Sequence, residues 1–148
     1  MKQVYSLKVL VAIGIITLAY SASYAQCSAF VKKKCMPKIQ PFQQNGQINS
    51  SSMTSGQKTA MNLTFYSGQD YRILVCGQPQ LGELTFKVFD SNRKLVFDSQ
   101  KNNYPDFWDF KVKNTQQLIV EVQVPESEST SSVLPTGCVS IMVGFKKA

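Results

Sequence analysis

From Met61 onward the chain alternates apolar and polar positions with a period of two, the pattern of strands whose successive side chains face opposite sides of a sheet. Met61, Leu63 and Phe65 form one apolar row, with Asn62 and Thr64 on the other face. Tyr71, Ile73 and Val75 follow a Ser67-Gly68-Gln69-Asp70 turn, and Leu84, Phe86 and Val88 lead through Asp90-Ser91-Asn92-Arg93 into Leu95 and Phe97. Trp108, Phe110 and Val112 come next, then Leu118, Val120, Val122 and Val124, and finally Val139, Ile141, Val143 and Phe145. Short runs punctuated by turn residues predict an all-β fold: an antiparallel, jelly-roll-like β-sandwich of about seven to eight strands.

The first part of the chain reads differently. Lys2 and Lys8 give a basic start, Val9 to Tyr20 is nearly unbroken apolar sequence, and Ser23-Tyr24-Ala25 offers small residues where a signal peptidase cuts. This predicts a signal peptide over residues 1 to 25, with cleavage before Gln26 and a periplasmic or secreted location. The apolar run of about twelve residues falls short of the roughly twenty that a spanning helix needs, so no transmembrane segment is expected in the mature chain. Lipidation of Cys27 would require a small residue directly before it, and Gln26 is long and polar. From Pro37 to Gln57 the sequence turns to Gln, Asn, Ser and Gly with Pro37 and Pro41, which predicts an irregular arm. The expected division is a signal peptide over 1–25, a disulfide-closed basic head and polar arm over 26–56, and the sandwich over 57–148. No long repeat and no helical periodicity stands out beyond the signal.

An oxidising destination gives the four cysteines meaning, because an even count there implies disulfides, with three possible connectivities. Cys27 and Cys35 flank a short segment while Cys76 and Cys138 each sit in a strand-like run, so the spacing predicts Cys27 with Cys35 and Cys76 with Cys138. By chain entropy these loops are worth roughly 2.5 and 4 kcal/mol. Neither spacing is that of a redox-active Cys-x-x-Cys pair. Cys76 is out of phase with Tyr71, Ile73 and Val75, and Cys138 with Val139, Ile141 and Val143, which puts both thiols on the less apolar face of their strands.

Charge and chemistry narrow the function. The chain carries 16 Lys+Arg against 9 Asp+Glu, and losing Lys2 and Lys8 with the signal lowers the net charge from +7 to +5. This modest excess, with one cluster at Lys32, Lys33 and Lys34, points to contact with a protein partner or an anionic surface such as lipid or polysaccharide, and not to nucleic acid. With no histidine the commonest general base and zinc ligand are missing, so a non-enzyme with no cofactor is expected. Asp90, Asp98, Asp106 and Asp109 could gather around Ca²⁺, but no compact Asp-x-Asp-x-Asp-Gly loop is present, and solvated turn carboxylates are the expectation. In Asn102-Asn103-Tyr104-Pro105-Asp106-Phe107-Trp108-Asp109-Phe110, the phase of Trp108 and Phe110 makes them core anchors. Tyr104, Phe107 and Trp108 are the candidates for stacking on a sugar ring.

The rows Tyr71-x-Ile73-x-Val75, Leu84-x-Phe86-x-Val88-x-Asp90, Leu95-Val96-Phe97-Asp98 and Leu118-x-Val120-x-Val122 together resemble the bacterial pre-peptidase C-terminal type of domain, and in the same loose way a GOLD-type sandwich. The resemblance covers roughly residues 57 to 146. It departs at Gly137-Cys138-Val139-Ser140-Ile141, where that type carries an aromatic-containing final strand. Such modules are usually non-catalytic accessory or binding domains. The sequence thus predicts an exported structural or protein-interaction module of the cell envelope, with a secreted carbohydrate-binding module as the alternative.

Overall fold

Two four-stranded antiparallel sheets pack face to face in the computed structural model, which describes residues 27–128 and 132–147. The strands are β1 (Gln43–Thr54), β2 (Lys58–Phe65), β3 (Gln69–Gly77), β4 (Thr85–Asp90), β5 (Leu95–Asp98), β6 (Phe107–Val112), β7 (Gln116–Gln123) and β8 (Thr136–Lys147). One sheet, called A here, has the order β1-β8-β3-β6, and the other, B, the order β2-β7-β4-β5. Each strand pairs with its mirror image about the β4–β5 turn: β4 with β5, β3 with β6, β2 with β7, β1 with β8. A long hairpin wound onto itself in this way is a jelly roll. The predicted signal peptide and its cleavage site lie outside the described residues.

The period-two rows meet between the sheets. Phe65, Ile73, Phe86, Val88, Leu118, Val120, Val122, Val139, Ile141 and Val143 are all buried in one cluster, with Trp108 and Phe110 packed against it. Strands β3 and β8 differ from the rest in being buried on both faces, as a near-continuous apolar run requires. Their outward Leu74, Cys76 and Met142 form a second, smaller core with Val31, Cys35 and Ile39.

Those last three residues belong to a helical head where no helix was expected. The chain is helical from Cys27, widens to a π turn over Val31–Cys35 and tightens to 3-10 over Met36–Ile39. Val31, Cys35 and Ile39 recur every fourth position, which puts them on one stripe facing sheet A. The head follows β8 along the outer face of the sheet. It starts at Cys27, bridged to Cys138, and reaches Gly144, where a Cβ would stand 2.8 Å from Ile39 Cγ1 and 2.7 Å from Phe42 Cβ. A side chain at 144 would lift the head off the sheet.

The disulfide pairing therefore differs from the expectation. Cys27 joins Cys138 and Cys35 joins Cys76, with Cα separations of 5.5 and 5.8 Å. Eight residues of helix rise about 12 Å, too far for Cys27 to reach Cys35 when a bridge needs a Cα separation of roughly 4.4–6.8 Å. Cys76 and Cys138 do share the outer face of neighbouring strands, as their phase indicated, but Cys76 stands opposite Ser140, two positions from Cys138. Each faces the head and bonds to it. The head is thus closed through sheet A and not on itself.

The polar stretch read as an irregular arm is in large part strand β1, paired with β8 from Gln43↔Phe145 to Thr54↔Thr136 with one irregularity between Gln44 and Ile48. Among the described side chains Met53 alone of its inward positions reaches the core, which is why the segment carries no apolar alternation.

Candidate functional site

The head and sheet A make a layer of unequal charge. Lys32, Lys33, Lys34, Lys38, Arg72, Lys111 and Lys146 stand on it against Asp70, Asp106 and Asp109, with Lys147 at the end of β8 on the opposite face, whereas the strands of sheet B carry Lys58 and Lys87 against Asp90, Asp98 and Glu121. Lys32, Lys33 and Lys34 are exposed because the neighbouring Val31 and Cys35 turn the helix's apolar stripe to the sheet. Arg72 pairs with Asp109, Lys111 with Asp70 at 3.9 Å and Lys38 with Asp106 at 2.5 Å. Lys32, Lys33, Lys34, Lys146 and Lys147 have no ion pair among the described residues.

Arg72, only 9% exposed, fixes the lower end of this layer. Its guanidinium donates to both carboxylate oxygens of Asp109 at 2.7 Å, and to the backbone oxygens of Lys38 at 3.0 Å and Gln40 at 2.8 Å. It also lies 4.0 Å from the Phe107 ring centre and 4.8 Å from that of Phe42, over whose ring Lys146 Nζ sits at 5.0 Å. The hydrogen bond to Asp109 holds the guanidinium above its ordinary pKa, against the opposing pull of burial. The side chain locks the exit of the head to β3 and β6.

The aromatic residues singled out from the sequence do not form one surface. Trp108 faces inward and stacks with Phe110 at 4.2 Å and Phe97 at 5.0 Å between ring centres. Phe107 points outward, 38% exposed, with Arg72 over its ring. Tyr104, 45% exposed, lies at the rim of a hollow of about 370 Å³ beside Lys38, Glu83 and Asp106. The four acids are also dispersed. Asp90 accepts from the Asn92 and Lys94 amides, Asp98 caps a short turn through the Gln100 amide and faces Lys87 at 3.8 Å, and Asp106 and Asp109 hold Lys38 and Arg72. Among the described residues no three His, Cys, Asp or Glu side chains gather as a metal site would need, and no helix is long and apolar enough to cross a membrane.

A feature that the sequence reading missed is the side of the sandwich where β1 and β2 end the two sheets. Inward positions of β1 opposite Val139 and Ile141 are Ser51 and Asn49, too short and polar to close the core. A groove of about 340 Å³ results, lined by these two and the neighbouring Ile48 and Ser50 of β1 with Thr59, Met61, Val139 and Ile141. A second hollow of about 450 Å³, lined by Asn62, Thr64, Tyr66 and Phe145 among others, lies farther along β2. The signal was in the sequence as a strand-length segment free of charge, but it lacks the alternation by which strands are recognised.

No family model matches the chain, and no curated protein matches it. The resemblance to pre-peptidase C-terminal and GOLD-type domains accordingly rests on strand pattern alone. Among solved structures the chain is similar to the crystal structure of Aeromonas hydrophila PliG, a periplasmic lysozyme inhibitor of g-type lysozyme. The identity is 13% and the TM-score 0.47, over 68% of this chain and 85% of that one.

Proposed function

We propose that the protein is a non-catalytic, exported interaction module of the cell envelope that docks an acidic surface of a partner protein on its head and sheet A layer. The observation that carries this is the set of lysines with no ion pair among the described residues, Lys32, Lys33, Lys34 and Lys146, on a layer fastened by two disulfides and by Arg72. A backbone held in place costs little ordering on binding, and the positive charge it carries steers an acidic partner in. A signal-like N-terminus and fully paired cysteines support export to an oxidising space.

The test is crosslinking and affinity capture of the oxidised protein from its native envelope, with the wild type beside Lys32→Glu/Lys33→Glu/Lys34→Glu. The expected result is a stoichiometric protein partner that is released by raised salt, where screening shortens to about 3 Å at 1 M, and that is lost with the charge-reversed head. A partner retained equally by both proteins and at high salt would overturn the reading.

A further inference from the structure

We infer that the β1–β2 side is a strand-addition site: an extended segment of the acidic partner adds a strand to the free edge of β1 and lodges one apolar side chain between the sheets. The inference deepens the proposed function and rests on a protein partner being acidic.

Four edges bound the two sheets, and β1 is the one whose regular stretch, Ile48 to Thr54 beyond the irregularity at Gln44/Ile48, carries no device against pairing. Natural edges are kept short or carry Lys, Pro or inward charge. Edge β5 has four residues and follows Arg93-Lys94, β6 carries Asp109 and Lys111, and β2 opens on Lys58. Strand β1 has twelve residues, none charged and none proline.

The register shows which of its backbone groups are open. Cys138 gives its carbonyl to Gln78 on the β3 side, so the alternate residues Val139 and Ile141 address β1 and pair with Ser51 and Asn49. The N–H and C=O groups of Ile48, Ser50 and Ser52 then point away from β8, along an edge that no strand pairs among the described residues. Thr54, of the same parity, uses its outward N–H on Gln57 Oε1 at 2.8 Å and so ends the open stretch.

Beside this edge lies the groove that Asn49 and Ser51 leave unfilled, with Met61, Val139 and Ile141 in its wall. A strand added to β1 alternates its side chains, so its inward residues fall at the mouth of the groove. One branched or aromatic side chain there would complete the core that β1 leaves open. Charge decides between occupants. A second copy would join two basic layers edge to edge, whereas a segment with acidic flanks meets the lysines of sheet A and the head with opposite sign.

The experiment uses a phage-displayed library of peptides of about twelve residues, the length of β1, acidic at both ends and randomised in the centre, selected on the oxidised protein. Binders should converge on an extended pattern with one apolar central residue and should slow hydrogen exchange at the Ser50 and Ser52 amides. Ser51→Val, which fills the groove from within, and Ser52→Pro, which removes an edge donor without breaking a β8 bond, should each weaken binding more than tenfold while the thermal midpoint stays equal or rises for Ser51→Val. No enrichment, or binders indifferent to Ser51→Val and Ser52→Pro, would overturn the inference. If envelope capture still depends on Lys32, Lys33 and Lys34 in that case, the acidic-partner reading survives without it. If capture is independent of those lysines while selected peptides bind the groove, the failure lies with the proposed function.

Discussion

Replacing Arg72 by Met tests whether one side chain locks the head to the sandwich. The substitution keeps the length of the side chain but removes four hydrogen bonds, two to Asp109 and two to the Lys38 and Gln40 carbonyls, together with the stacking on Phe42 and Phe107. Removing one member of a buried charge pair costs about 3–5 kcal/mol. Asp109 is 41% exposed at its side chain and can rehydrate, so the lower end, about 3 kcal/mol, is expected. For a chain of this size each kcal/mol moves the thermal midpoint by about 4 °C, which gives a fall of about 12 °C. Arg72→Lys should recover only part of it, since an ammonium cannot reproduce the planar fork. The assay is thermal denaturation of the oxidised wild type, Arg72→Met, Asp109→Asn and the double variant, with an interaction energy above about 1 kcal/mol expected from the cycle. Hydrogen exchange at Phe42, whose amide donates to the Ile39 carbonyl, should quicken in Arg72→Met. Because the folded-state pKa is raised, the contribution of Arg72 is complete below the unfolded value and lost only above it, so the loss should not vary across neutral pH. A fall of less than about 3 °C, or full recovery by Lys, would refute the reasoning.

Two further outcomes follow from the way the head is seated. Peptide mapping without reduction should yield Cys27 linked to Cys138 and Cys35 linked to Cys76, and replacing Cys35 and Cys76 together by Ala should cost up to about 4 kcal/mol from the chain entropy of the opened loop; a Cys27–Cys35 fragment would contradict the structure. Gly144→Ala should destabilise by about 1–3 kcal/mol through overpacking against Ile39 and Phe42, read as a lower urea midpoint, and a neutral effect would mean that the head is not pressed onto β8 there.

The sandwich was legible because β2, β4, β6 and β7 bury one face each, so their alternation translates directly into sheet geometry. The same phase placed Trp108 inside and the cysteines outside. Two-sided burial was also written in the chain, as the unbroken Ile73-Leu74-Val75-Cys76 run, yet nothing local says what covers the second face. The head escaped notice because three lysines sit between Val31 and Cys35 and mask a fourfold apolar stripe. Strand β1 escaped because pairing with β8, and not burial, makes it a strand. The disulfide pairing could not be read from spacing, since it depends on that hidden helix.

Strand β8 lies between β1 and β3, carries Cys138 and supports the head, yet it follows the other seven described strands in chain order. As the polypeptide emerges, Cys27 must wait for a partner that appears 111 residues later. Loss of β8 would at once orphan the edge, the centre and the covering of one sheet. Assembly of the basic layer therefore waits on the synthesis of β8, and a product lacking that strand would carry Lys32, Lys33 and Lys34 without the platform that aims them.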